Sequence, residues 1–409
     1  MPEFFTIADD MTGAIEVGAH FAQRGVTAAV TAATDLEAAE LAQATVLVVG
    51  SESRHISPAA AAQRVAQLAD FARRQGFKYI YKKTDSTLRG NIAAELGALL
   101  AVFPDQPLVY VPAYPKLGRT CKAGHLYVHG KLLEETGFAN DPLNPITRSY
   151  IPDVLQQCNV PVRLAADSVE LERLLQQDGI IVCDCETDAD LQEIAHLLQR
   201  HNKLQLIAGP SGFIEYLAPL LDLPKSAMPA YPKLTSTLTI CGSVNEVSLA
   251  QARHGDEHGF AVMKLTPKHI LEQTDTASLV DEVLVWLADQ KHLVLRLVDN
   301  TDELAHYLQH AQRLGMEKSA AHELVVEQLG RLVRAIIAQT DETALVVFGG
   351  DTAVGVLQQA VIWPVGELLA GVPISRVTLA GWELWLITKS GGFGPVDVLP
   401  QVKELLSGR

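Results

Sequence analysis

Residues 77–100 read FKYIYKKTDSTLRGNIAAELGALL, and the change of pattern within them sets the fold class. Phe77, Tyr79 and Tyr81 alternate with Lys78, Ile80 and Lys82, a short aromatic and β-branched run that predicts a strand. Ile92, Leu96, Leu99 and Leu100 then fall at helical spacing, with Asn91 placed to cap the helix. Lys82, Lys83, Thr84, Asp85, Ser86, Thr87 and Arg89 crowd the turn between them. Such a turn can offer backbone N–H groups, hydroxyls and a guanidinium to a small anion, because a helix N-terminus favours negative charge and Arg grips carboxylates bidentately. A plainer reading competes with it: Asp85 and Arg89, four residues apart, pair with each other while Ser86 and Thr87 cap.

The same strand–corner–helix pattern recurs outward in both directions. Phe4 to Ala8 is an apolar run that ends in Asp9-Asp10, before a helix through Ile15, Val17, Phe21 and Ala22. One of these carboxylates could cap the helix; the other could accept a hydrogen bond or a proton from a substrate hydroxyl. Val46 to Val49 ends in Gly50-Ser51-Glu52-Ser53-Arg54-His55, before a helix with Pro58 in its first turn. Arg54 is there a candidate anion grip. Leu108–Val111, Ile180–Asp184 and Leu204–Ala208 continue the alternation, which implies a doubly wound, mainly parallel α/β sheet with ligands at the strands' carboxyl ends. Residues 224–232 carry three prolines without periodicity, which marks a linker and divides the chain into domains at 1–228 and 233–409. In the second half, Gly242-Ser243, Gly349-Gly350-Asp351-Thr352 and Lys389-Ser390-Gly391-Gly392-Phe393-Gly394 each lie between a buried-type strand and a helix start. Glycine lets phosphate oxygens approach the backbone, so three such corners in one domain suggest a phosphate cradle.

Composition narrows the function. A chain of 409 residues with 48% apolar content is an ordinary globular protein of two domains. The net charge of −15 argues against nucleic acid or an anionic membrane as partner. No run of about 18 apolar residues and no basic leader is present, which predicts a cytoplasmic chain. The five cysteines suit no disulfide framework, and Cys183 and Cys185 lack further ligands at zinc spacing. Gly124–Leu132 (GHLYVHGKL) has five residues between its glycines and Leu132 where a P-loop needs Ser or Thr, so a hairpin is expected there instead. His125 and His129 then share no helical face for a metal. No GxGxxG lies at any corner, which disfavours a nicotinamide-dependent dehydrogenase. Residues 137–152 read as an ordered loop able to cover a pocket.

Taken together, the segments IADDMTGAIEVG (7–18), SESRH (51–55), KKTDSTLRGN (82–91), PAYPKLGRTCKAGHLYVHG (112–130), GSVNEVSLAQ (242–251), GGDT (349–352) and KSGGFG (389–394) closely resemble the four-carbon acid sugar kinase family over nearly the whole chain. Glu16 stands where relatives often have Asp, and Val244-Asn245 replaces the more usual small residues. The resemblance implies an N-terminal domain for the sugar acid, a C-terminal domain for ATP with Mg2+, and a cleft between them that closes over both. By that likeness Asp9, Asp10, Arg54, Lys82, Lys83, Thr84, Asp85, Ser86 and Arg89 would contact the acid, with Asp10 or Asp85 orienting or deprotonating the reacting hydroxyl. Ser243, Gly349, Gly350, Asp351, Thr352 and Gly394 would contact ATP, and Asp351 would either hold magnesium or cap its helix. D-threonate, phosphorylated at the 4-hydroxyl, is the leading substrate expectation; D-erythronate, 3-oxo-tetronate and a non-enzymatic sugar-acid binding protein are the alternatives. The partners implied are thus small molecules, and a homo-oligomer is left open.

Overall fold

Strands FFTIA, VLVVG and IIVC are apolar at nearly every position and buried on both faces, the condition of a parallel sheet covered by helices on each side. The computed structural model describes residues 2–32, 36, 41–141, 144–158, 160–227, 229–272, 276–340, 342–357, 360–379 and 381–408. The chain divides into two compact units, residues 1–227 and 228–409.

In the first unit eight strands run parallel, in the order Ala28–Thr31, Val46–Gly50, Phe4–Ala8, Tyr79–Lys83, Leu206–Gly209, Leu108–Tyr110, Ile180–Cys183 and Val162–Ala165. Strand Phe4–Ala8 is third in this order, at the point where the chain order reverses. Ala8 is in register with both Gly50 and Lys83. Three strands therefore end level, and the turns that follow them, at 9–10, 51–57 and 84–91, emerge side by side. Helices Met11–Ala22, Pro58–Gln75 and Ile92–Val102 leave from these turns. The expected hairpin is present, as a three-stranded antiparallel sheet of Arg119–Lys122, His125–Val128 and Lys131–Leu132.

The second unit orders its strands Ala261–Lys264, His292–Arg296, Ser236–Cys241, Thr343–Phe348 and Trp382–Lys389, all parallel. Here too registers align the ends: Cys241 pairs with Phe348, and Phe348 with Lys389. An antiparallel extension not evident in the sequence, Val361–Leu369 with Val372–Leu379, pairs onto Trp382–Lys389. Its hairpin turns at Gly371, whose φ of +72° suits glycine. Pro364, which cannot donate to a ladder, coincides with a register shift, and these features obscured the strand. Among the described residues no helix is long and apolar enough to cross a membrane.

Candidate active site

At the level strand ends of the first unit, three carboxylates meet three cations. Arg54 donates from Nε to Asp9 Oδ2 at 2.7 Å, and its Nη2 lies 2.7 Å from Asp9 Oδ2, 2.9 Å from Asp10 Oδ1 and 3.5 Å from Asp85 Oδ1. Lys83 Nζ bridges Asp9 and Asp10 at 3.1 and 2.7 Å. Arg89 grips Asp85 with two bonds, Nε to Oδ2 at 3.0 Å and Nη2 to Oδ1 at 2.8 Å. The pairing read as the plain alternative in the sequence is thus present, yet it forms one edge of a larger network. Arg54 is correspondingly no free grip: its guanidinium already spans all three aspartates.

Neighbouring lysines part company here because successive strand residues face opposite sides. Lys83 turns to the aspartates, whereas Lys82 has no exposed surface and pairs with buried Glu95 at 2.9 Å. Glu95 also accepts from Ser53, itself bonded to Ser51 at 2.7 Å. Lys82, grouped in the sequence with the substrate contacts, is therefore kept from a ligand and braces the corner from beneath. Asn91 stands at the cap position but does not cap; its Nδ2 donates to the carbonyls of Ser53 and Ile56, each at 2.8 Å, and ties the Arg54 turn to the 84–91 turn. Asp10 does cap, accepting from Gly13 N at 3.3 Å. Thr84 is buried, its N–H held by Gly209 O, and Ser86 lies half-buried in the turn. From the segment expected to cover the site, Phe138 places its ring 5.6 Å from the Arg89 guanidinium and Asp141 comes within 3.5 Å of it; residues 142–143 of that segment lie outside the described residues.

The three aspartates are not equivalent. Asp85 Oδ2 accepts from Thr87 N, Thr87 Oγ1, Arg89 N and Arg89 Nε, so its lone pairs are committed. Asp9 is 3% exposed and Asp85 7%, against 14% for Asp10, whose Oδ2 accepts only from Thr12, at 2.6 Å, among the bonds described. Burial alone would raise all three carboxyls, but the adjacent cations outweigh it. Arg54 and Lys83 hold Asp9 and Asp10 below the usual range, and Arg89 and Arg54 hold Asp85 well below it. The sign follows. Folded-state values below the unfolded value near 4 contribute stability above that pH, which is lost as pH falls through them. The melting temperature should accordingly hold steady from pH 7 to about 5 and drop steeply below about pH 4; a flat profile to pH 3 would contradict the ionised network.

In the second unit the three glycine corners touch. A Cβ on Gly242 would sit 2.3 Å from Thr352 Oγ1, one on Gly349 3.2 Å from Ser243 Cβ, and one on Gly391 2.8 Å from Ser243 Oγ. A side chain at any of them would crowd Thr352 or Ser243, and the φ of +102° at Gly349 favours glycine as well. Gly350, Asp351 and Thr352 open the helix Gly350–Leu357, and Gly394 has a φ of +83° in the turn before the helix Val398–Ser407. Asp351 is half-exposed, with His322 Nε2 at 3.3 Å, a pairing that raises the histidine's pKa. Ser248, Gln251 and Lys389 underlie the last corner and were not singled out in the sequence. They carry no motif of their own, only a position inside one.

Comparison with known proteins agrees with this division of features. Residues 4–217 match the family model described as a sugar-binding N-terminal domain, and residues 238–399 match a nucleotide-binding C-terminal domain. The chain is 29% identical over 419 aligned positions to the D-threonate kinase of Bordetella bronchiseptica, covering 100% of this chain and 98% of that protein. It is 28% identical over 435 positions to the 3-oxo-tetronate kinase of Cupriavidus necator, covering 98% and 96%. A Salmonella typhimurium LT2 protein of known crystal structure shares the fold, with a TM-score of 0.80 at 21% identity over 99% of this chain and 100% of that chain. With the N-terminal match alone spanning more than half of the sequence, the chain belongs to the four-carbon acid sugar kinase family.

Proposed function

We propose that this protein transfers the γ-phosphoryl group of ATP to the 4-hydroxyl of D-threonate. What carries the reading is the combination, in one chain, of an acid-and-cation corner at the first unit's strand ends and a glycine-lined corner at the second's, supported by similarity to kinases of tetronates. A tetronate is a small carboxylate with several hydroxyls, matched by aspartates that accept and by Arg, Lys and helix N–H groups that donate. Within the corner, Asp10 is the acceptor for the reacting hydroxyl, since it is the most open aspartate with a lightly occupied oxygen. Its depressed pKa makes it a hydrogen-bond acceptor that orients the hydroxyl more than a strong base. That suits phosphoryl transfer, which depends on positioning and charge neutralisation. Lys83 and Arg54 hold Asp10 ionised and in place; Arg89 is oriented by Asp85 toward the substrate carboxylate.

Magnesium takes oxygen ligands and needs one or two carboxylates beside the phosphates. Asp351, half-exposed at the glycine corner, fits that donor set. His254, Glu257 and His258, whose ligand atoms cluster within 4.8 Å, are nitrogen-rich and do not. When bound, the ion would offset charge on the phosphates.

The test is ADP release with ATP, magnesium and a panel of four-carbon sugar acids. Turnover should be highest with D-threonate; a preference for D-erythronate or 3-oxo-tetronate would move the substrate within the family. Tight acid binding that ignores ATP, with no turnover on any acid, would make this a binding protein instead. Arg54→Ala removes the cation that spans Asp9, Asp10 and Asp85 and should lower kcat/KM for the acid by at least about tenfold, given bonds to charged groups of about 1.5–3 kcal/mol, with KM for ATP unchanged. An effect confined to ATP would reverse the assignment of the two units.

A further inference from the structure

Beneath the Ser390–Pro395 turn lies a lysine that the proposed transfer does not use. Lys389 is 1% exposed, yet its Nζ lies 2.7 Å from Ser390 O, 3.2 Å from Gly391 O, 3.1 Å from Phe393 O and 3.2 Å from Ser248 Oγ. Gln251 Nε2 collects the carbonyls of Phe393, Gly394 and Pro395 at 2.9, 3.1 and 2.9 Å, and Ser248 Oγ donates to Gly391 O at 2.7 Å. Five of the six carbonyls from Ser390 to Pro395 thus point down into the protein. In a trans peptide the C=O and the following N–H point opposite ways. The N–H groups of Gly391, Gly392, Gly394 and Val396 consequently face up, away from the lysine, and Pro395 has none to offer. Successive N–H groups so turned form a concave anion site, and Gly391 borders Ser243 at its rim.

We propose that Lys389 is a positioning residue: its buried ammonium holds the carbonyls of the Ser390–Pro395 turn inward, so that the turn's N–H groups face a nucleotide phosphate. This deepens the nucleotide reading of the second unit and rests on it. Two observations accompany the geometry. Among the described residues no carboxylate pairs with Lys389: Phe348 sets its ring 4.6 Å from Nζ, Cys241 is the titratable group bearing on it from the strand Ser236–Cys241, and the helix Glu246–Glu257 contributes uncharged Ser248 and Gln251. The ammonium, when formed, is therefore uncompensated directly under the turn, where a polyanion above would complete it. Burial pushes the lysine down to about 7, while the surrounding oxygens favour the ammonium. A phosphate arriving on the outer face adds negative potential and raises the affinity for the proton, so nucleotide binding above neutral pH draws a proton in.

Calorimetric titration of the full chain with ATP, in buffers of different ionisation enthalpy, tests this. At pH 8 the wild type should take up roughly half a proton or more per site. Lys389→Met, which keeps length and apolar bulk, should bind ATP about 10- to 100-fold more weakly, the loss of one charged hydrogen-bonding group, and should lose that uptake. His322 beside Asp351 can also take up a proton, so uptake that persists undiminished in Lys389→Met belongs to the histidine and overturns the proposal. Wild-type affinity in Lys389→Met overturns it too, without touching the kinase reading. A wild type that binds no nucleoside triphosphate removes both together. If Lys389→Met fails to fold, Lys389→Gln, which removes the charge but keeps a donor, takes its place, and wild-type ATP affinity in that variant overturns the proposal.

Discussion

Asp10→Asn should lower kcat for the sugar acid by about 10²–10³-fold, roughly 3–4 kcal/mol of transition-state stabilisation, and leave KM for ATP unchanged. Asn keeps the volume and one acceptor oxygen, so the helix cap from Gly13 to Oδ1 survives, while the amide group replacing Oδ2 can no longer accept from Thr12. What disappears is the negative charge, and with it the pairings to Lys83 and Arg54 at 2.7 and 2.9 Å. A donor amide then stands where the reacting hydroxyl must donate. The loss should therefore appear in kcat and in kcat/KM alike, the pattern of an interaction that matters most in the transition state. Asp85→Asn, by contrast, removes a carboxylate whose Oδ2 is saturated by its own turn, and should act through the geometry of Arg89, raising KM for the acid. If Asp85→Asn abolishes kcat while Asp10→Asn changes only KM, the two roles are exchanged.

The second large effect concerns stability. Replacing Glu95 by Leu leaves the Lys82 ammonium, without exposed surface, on the Lys83 carbonyl without the carboxylate that pairs with it. Removing one member of a buried pair costs about 3–5 kcal/mol, whereas removing both and refilling the space with apolar groups is often near neutral. Glu95→Leu should therefore lower the first unit's urea midpoint markedly, and Lys82→Met combined with Glu95→Leu should recover most of the loss. A single variant as stable as the wild type would mean that water reaches this pair. The double variant carries further information. Lys82 takes no part in the aspartate network, so a refolded double variant that retains turnover confirms that it braces the corner, while loss of sugar-acid binding alone would restore it to the substrate contacts.

Much of the fold was legible because parallel strands buried on both faces are largely continuous apolar runs, and most of these runs ended visibly in Asp, Ser or Gly. The Val361–Leu369 and Val372–Leu379 hairpin escaped notice because Pro364 and two register shifts disguise its first strand, and Pro373 interrupts its second. The site divided in the same way. Asp9, Asp10, Arg54, Lys83, Asp85 and Arg89 were recognisable from residue type and place, but Arg54 read as a free anion grip and Lys82 as a second ligand.

Residue order alone determined that this is an α/β chain in two parts, which residues stand at the strand ends, and which family it belongs to, because those properties depend on local periodicity and short motifs. Only the tertiary structure decided which charges meet. Arg54 lies 44 positions beyond Asp10 in the chain, and it reaches Asp9, Asp10 and Asp85 because Ala8, Gly50 and Lys83 share one register. Strand alternation separates Lys82 from Lys83, but packing chooses which of them finds the aspartates and which finds Glu95. Electrostatic pairing and burial are properties of distance in space, and chain position does not encode that distance.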